Sequence, residues 1–324
     1  AEAYCKDLVA TMIPDKKITI AFEQLSYHDA MSRFGCDKPD LRFGMELQNV
    51  TKILNDGSIN FMADKPCITC IKLDAAHTAE VSRKVVEYEK VCKEAALPWI
   101  KRDEELSIGK LVGADQKTAL QEATDASSDI LFFALGTKAE VAKVLNKLRL
   151  HLRDQHSLVN KDDLAFCWIT DFPFYEENET SGERDFHNPF SHVVGVETLK
   201  SKDFADIQTN QYDMVLNGFE IMSGSIRNHD PAVMVAAFEK LGMSEADVKE
   251  RFAMYEAFQY GAPPHGFAFF DRMMMIFKDE PNIRECYAFP KSGKAEDTMM
   301  GAPATLLDEK VLEELGIRVV ESDE

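Results

Sequence analysis

Two carboxylates seven residues apart are the first sign of chemistry in this chain. Asp213 and Glu220 flank Asn217-Gly218 in the run Asp213-Met-Val-Leu-Asn-Gly-Phe-Glu220. In extended backbone they converge on one side only if the chain bends, and Asn-Gly supplies such a bend. Paired carboxylates with open positions suit a Mg²⁺ ion that bridges nucleotide phosphates. The spacing alone leaves a polar surface turn equally open.

Ser223-Gly-Ser-Ile-Arg-Asn-His-Asp230 follows directly. Small residues let a ligand approach the backbone closely. The guanidinium of Arg227 can grip a carboxylate through two parallel hydrogen bonds, although a tight turn with a surface arginine fits the same residues. His229 beside Asp230 invites a general-base reading. Asp230-Pro231 is also a helix start, which favours a capping role for Asp230. His187, in His187-Asn-Pro-Phe-Ser191, is a lone histidine before a turn, a pattern that is structural by itself. Gly261-Ala-Pro-Pro-His-Gly266 is a rigid turn feeding an apolar run that ends in Asp271-Arg272. An arginine after a buried strand needs a partner: Asp271, another carboxylate or a ligand phosphate. No Ser-His-Asp elbow, Walker loop or G-x-G-x-x-G is present.

The elements that must position these residues mix helix and strand. A helix is expected to about residue 12, a strand over 18–22, and a short helix from Ser26 as N-cap. Residues 35–40 are a turn-rich charged segment. Composition shifts near Asn49, and from there to about residue 160 the pattern is that of a separate α+β unit. It holds a strand over 67–73, a helix over 77–95, a buried strand over 130–135 and a helix over 139–151. Beyond it come a buried strand over 164–174, a polar hairpin or loop over 176–185, and strand or helix over 209–215 and 218–226. Helices are expected over 233–241, 245–259 and 306–315. The run 267–277 is strongly apolar, its first part an apolar strand that ends in Asp271-Arg272, and residues 283–290 read as strand.

A length of 324 residues calls for two domains or one large one. Asp and Glu total 56 against 37 Lys and Arg, a net charge of −19, which argues against a generic phosphate-coating protein. Several of the seven cysteines sit in apolar runs, which suits buried thiols in a reducing compartment. Cys67-Ile-Thr-Cys70 has no second pair at zinc spacing and reads as strand. No apolar run approaches the ~20 residues of a membrane span, and no signal peptide opens the chain. Because residue 1 is Ala, the chain is expected to be processed, trimmed or part of a longer product.

Taken together and in this order, the clusters resemble bacterial-type aspartyl-tRNA synthetases, a class II family. The resemblance is carried by Tyr27–Met31 with Phe34–Phe43, Trp168–Pro173, Asp185–Phe190, Gln211–Gly218, Glu220–His229, Tyr260–Gly266, Asn282–Arg284 with Ala288–Lys291, and Met300–Pro303. It implies an α+β fold: a class II antiparallel sheet flanked by helices, with a smaller α+β domain inserted. Residues 1–48 would be the first catalytic segment, 49–160 the insertion and 161–324 the second catalytic segment with motif 3. It further implies that Arg227 holds the side-chain carboxylate of aspartate and that His187 lines the same pocket. Asp213 and Glu220 would bind Mg²⁺. Glu220, Phe269, Phe270, Asp271 and Arg272 would bind ATP, with Arg272 as the catalytic motif 3 arginine. The implied reaction is attack of the aspartate carboxylate on the α-phosphate to give aspartyl-adenylate, then transfer to tRNA-Asp, with tRNA-Asn also open. A homodimer is expected of the full-length family, in the cytoplasm or an organelle matrix of bacterial ancestry, without membrane contact.

Two departures from the family pattern support a second reading. The family enzyme is nearly twice as long, and no anticodon-binding barrel, motif 1 or motif 2 is matched here. Between His265 and Arg272 this chain is about two residues shorter, which along a strand shifts Arg272 by ~6–7 Å or changes its face. The second reading is a catalytically degenerate paralogue that serves as a binding module or complex subunit.

Overall fold

Ser26 ends the first strand and caps the helix after it, its hydroxyl accepting from Asp29 N. This strand–cap–helix step sets the N-terminal frame of the computed structural model. The structure describes residues 1–77, 81–93, 95–101, 107–126, 129–177, 184–195, 197, 199, 207–263, 265–268, 272–286 and 316. The chain divides into two units, Ala1–Asp271 and Arg272–Glu324.

The first unit contains α1 (Glu2–Met12), β1 (Lys17–Ser26), α2 (Tyr27–Phe34), β2 (Gln48–Asn49), α3 (Thr51–Leu54), β3 (Cys67–Leu73) and α4 (Val81–Val91). It continues with β4 (Trp99–Lys101), α5 (Ala114–Thr124), β5 (Ile130–Gly136), α6 (Lys138–Gln155), β6 (Asp163–Thr170), β7 (Tyr175–Glu177) and β8 (Arg184–Phe186). Then come β9 (Gln211–Leu216), β10 (Phe219–Ile226), α7 (Pro231–Glu239), α8 (Glu245–Arg251), α9 (Ala253–Gln259) and β11 (Gly266–Ala268). In the second unit the described elements are α10 (Met273–Phe277) and a 3-10 turn, Ile283–Cys286.

Two larger sheets result. The first runs β1-β6-β9-β10-β11 and is antiparallel except for the parallel β1–β6 pair. One face carries Leu25, Cys167, Ile169 and Val215 against Ala30 and Phe34 of α2. On the other face α1 packs through Cys5, whose Sγ lies 3.7 Å from Met214 Sδ. The second sheet, β2-β3-β5-β4, is antiparallel throughout. It is covered on both faces: Ile71 and Phe132 pack with Tyr88 of α4 and Leu145 of α6, while Ile68 and Phe133 pack with Leu54 of α3 and Leu120 of α5. Two covered faces explain the near-continuous apolar runs of β3 and β5. Cys67 and Cys70 fall on opposite faces of β3, both buried, so they form no paired thiol site.

Three expectations need correction. The segment 245–259 is two helices, because Phe252 takes extended backbone and seats its ring against Phe190 and Phe238. In the run 267–277, Gly266–Ala268 is strand, residues 269–271 lie outside the described residues, and Met273–Phe277 is helical, with Met273, Ile276 and Phe277 buried at helical spacing. Residues 283–286 form a 3-10 turn begun by Asn282, whose Oδ1 accepts from Arg284 N. The helix expected over 306–315 lies outside the described residues.

Candidate active site

Asn217 and Gly218 both have positive φ, 53° and 86°, and form the two-residue turn joining β9 to β10. The Asn217 side chain fastens this turn to β6: its Oδ1 accepts from Ala165 N at 2.8 Å and its Nδ2 donates to Asp163 O. The hairpin lays Asp213 opposite Ser223 and Glu220 opposite Val215. The bend expected from Asn-Gly thus brings the two carboxylates to adjacent strands. Ser223 and Ser225 share the face of Asp213, and Arg227 continues that alternation past the strand end.

Asp213 is only 2% exposed. Its Oδ1 accepts from Ser223 Oγ at 2.7 Å. Burial pushes its carboxyl up to about 6; the Ser223 bond and the Lys38 charge pull against this, while the Glu220 and Asp37 charges add to it. The 35–44 segment completes the cluster. Lys38 Nζ lies 2.5 Å from Asp37 Oδ2 and 3.4 Å from Glu220 Oε2. Burial opposes its charge, but Asp37, Glu220 and Asp213 outweigh burial and hold the ammonium above its ordinary value.

His187 stacks on Phe172 with ring centroids 5.0 Å apart, meets Tyr27 edge-on, and places Nδ1 3.1 Å from Glu176 Oε2. The Tyr27 hydroxyl is pushed up by burial and then by the charges of Asp37 and Glu176, against the pull of Lys38. The segment after His187 runs alongside that of Arg227: His192 N donates to Ile226 O, Asn228 N donates to Phe190 O, and Ser191 bridges Arg227. The Arg227 guanidinium lies 5.0 Å from the centroid of Phe190, and burial lowers it from its ordinary value.

Around this strip, Ser191 Oγ, Gln211 Oε1, Ser225 Oγ and both amide atoms of Asn228 are buried with no hydrogen-bond partner among the described residues. Buried polar atoms are rarely left so, and a polar ligand is one physical reason for such a group of them. A cleft of about 390 Å³ lined by Thr170, Asp171, Asn210 and Gln211 opens beside them. Asp230 caps α7, accepting from Ala232 N, as its Asp-Pro sequence suggests.

Asp213 and Glu220 therefore converge, and His187 and Arg227 lie on hydrogen-bonded neighbouring segments. Arg272 stands at the N-cap of α10, in the second unit. Phe269, Phe270 and Asp271 lie outside the described residues. Lys38, Asp37, Tyr27 and Glu176 were not assigned site roles in sequence; the charge density of 35–40 and the family pattern over 34–43 were the signals that could have flagged the first two. Among the described residues no three His, Cys, Asp or Glu side chains are gathered for a metal. Two carboxylates, one buried and tethered, nevertheless fit Mg²⁺, which keeps several waters and completes its octahedron with substrate phosphates.

A hairpin carrying two carboxylates, with Arg227 just past its second strand, thus lies on an antiparallel sheet. Residues 1–293 match the profile of the tRNA synthetases class II (D, K and N), and the chain belongs to that family. It is similar to the aspartate–tRNA(Asp/Asn) ligase of Chlorobium chlorochromatii, 39% identical over 94% of this chain and 52% of that protein. It is 38% identical to the aspartate–tRNA ligase of Streptomyces griseus, over 94% of this chain and 52% of that one. A third relative, the aspartate–tRNA(Asp/Asn) ligase of Novosphingobium aromaticivorans, is 40% identical over 93% of this chain and 53% of the other. The chain thus spans about half the length of the curated relatives it matches. The solved aspartyl-tRNA synthetase of Entamoeba histolytica is 22% identical, with TM-score 0.30 over 46% of this chain and 26% of that one. Among the described residues no helix is long and apolar enough to cross a membrane.

Proposed function

We propose that this chain is the catalytic portion of an aspartate–tRNA ligase, which activates aspartate with ATP and transfers it to tRNA-Asp, with tRNA-Asn as a possible second acceptor. The observation that carries the reading is the buried Asp213 carboxylate, tied to Ser223 and grouped with Glu220 and Lys38, on the sheet face that leads to Arg227.

Arg227 grips the side-chain carboxylate of aspartate with its planar fork, and the Phe190 ring beneath the guanidinium fixes its plane. His187, stacked on Phe172, closes the pocket wall. Asp213 and Glu220 would hold Mg²⁺, which when bound neutralises phosphate charge. The family pattern assigns ATP binding to Phe269, Phe270, Asp271 and Arg272. The α-carboxylate of aspartate attacks the α-phosphorus, and pyrophosphate leaves with the electrons of the broken P–O bond. Cationic side chains aimed at the phosphates stabilise the charge that develops there.

Residues 49–160 form the inserted module in this reading, supported by a sheet with a core on each face. The family's dimer and a cytoplasmic or organellar setting belong to the same proposal.

Aspartate-dependent exchange of pyrophosphate into ATP tests the activity. Exchange is expected with aspartate and not with lysine or asparagine, and it should fall at least a hundredfold in Arg227→Lys. Exchange driven equally by asparagine overturns the substrate assignment.

A further inference from the structure

We propose that Arg149 and Arg153 of α6 are positioning residues: they fix the 35–44 segment so that Lys38 stands against Glu220. This rests on reading Asp213 and Glu220 as the active site.

Helix α6 carries two stripes. Val141, Leu145, Leu148 and Leu152 face the core of the second sheet. One residue further round, Ala142, Asn146, Arg149 and Arg153 repeat at the same spacing and meet the 35–44 segment. A Cβ on Gly35 would lie 2.5 Å from Ala142 O and 3.2 Å from Asn146 Cβ, so the segment leaves α2 in contact with this stripe. Arg149 is fully buried, a costly place for a charge, and its Nη1 has no hydrogen-bond partner among the described residues, while its other donors are used. Its Nε and Nη2 donate to Gly44 O at 3.0 and 2.8 Å, and Nη2 also donates to Asp40 O at 2.6 Å. The rings of Phe34 and Phe43 lie 5.0 and 4.0 Å from the guanidinium carbon. Arg153 Nη1 donates to Asp40 Oδ2 at 3.1 Å, and Arg42 donates to both oxygens of that carboxylate, Nε to Oδ1 at 2.9 Å and Nη2 to Oδ2 at 2.8 Å.

The far side of the segment rests on the site hairpin. A Cβ on Gly218 would lie 3.3 Å from Asp40 Cβ and 3.8 Å from Lys38 O. Asp40 is therefore held by α6 on one side and by the Asn217-Gly218 turn on the other. Lys38, two residues earlier, has little freedom to leave Glu220. Arg149 and Arg153 bond Gly44 and Asp40 of the segment, and through it they act on Lys38.

Acylation of lysines in the full chain by limiting acetic anhydride reads this placement, because the reagent must reach the amine. Lys38 should react slowly relative to the exposed Lys52 and Lys65. Glu220→Gln should speed Lys38 several-fold. Arg149→Lys should also speed it several-fold and Arg153→Met somewhat less, with the reference lysines unchanged. In the Glu220→Gln background neither change should add more, an epistasis that general loosening does not produce. Arg153 is partly exposed, so Arg153→Met decides the matter if Arg149→Lys does not fold. No acceleration by the folded arginine variants, while Glu220→Gln accelerates, overturns the positioning role and leaves the site reading intact. No acceleration by Glu220→Gln overturns the Lys38–Glu220 pairing on which both depend.

Discussion

Ser223 Oγ donates to Asp213 Oδ1 across the β9–β10 ladder at 2.7 Å, and this bond steadies a carboxylate that is otherwise out of water. Burial raises its folded-state pKa to about 6, above the usual carboxylate value. The folded state therefore binds the proton more tightly than the unfolded chain. Ionised Asp213 costs stability, a cost absent below about pH 4 and complete above about pH 6, on the order of 2–3 kcal/mol. Asp213→Asn should thus gain stability over wild type as pH rises from about 4 to 6, then hold a constant difference. Denaturant unfolding across that range measures it, and a flat difference contradicts the burial argument.

Ser223→Ala removes the donor and keeps the burial. Stability at pH 7 should fall by roughly 1–3 kcal/mol, the cost of a buried charged acceptor that loses a partner. The loss should shrink as pH drops through about 6 and be largely gone by about 5, because protonated Asp213 no longer needs the bond. Chemical denaturation at pH 7 and pH 4.5 distinguishes this from a simple cavity, which would cost the same at both.

Gly35 has φ +74° at the end of α2, and an added Cβ would meet the Ala142 carbonyl oxygen at 2.5 Å. Both the backbone and the space forbid a side chain there. Gly35→Ala should cost about 2–4 kcal/mol and lower Tm by several degrees. A scanning-calorimetry midpoint within a degree of wild type would show that α6 and the segment do not pack as described.

Residues 45–160 contain β2 to β5, α3 to α6 and both cores of the second sheet. Expressed alone, they should melt cooperatively with a near-ultraviolet signal. A broad, featureless transition would remove the case for an inserted module.

What was legible in the sequence was mostly local. Asn217-Gly218 encodes its own turn, and Asp230-Pro231 encodes its own cap, so both were readable from neighbouring residues. The break at Phe252 was not, because helical periodicity runs through it and the extended backbone is set by packing on Phe190 and Phe238. Lys38 was missed for a similar reason. Nothing in Asp37-Lys38-Pro39 places it; Arg149, more than a hundred residues on, and Gly218 do. His187 looked structural alone, and only the family pattern gave it a role; its stacking on Phe172 became visible in three dimensions.

Direct titration of L-aspartate into the chain tests the central claim most sharply. One bidentate arginine clamp with partial closure around it corresponds to about −4 kcal/mol, a Kd near millimolar. Loss of the fork contributes roughly 1.5–3 kcal/mol, so Arg227→Lys should weaken binding about tenfold or more. L-asparagine, lacking the second carboxylate, should bind wild type no better than the variant binds aspartate. Chemical-shift perturbation follows all three titrations. Equal aspartate affinity in wild type and Arg227→Lys would contradict the assignment of Arg227 as the clamp, and with it the aspartate-activating role.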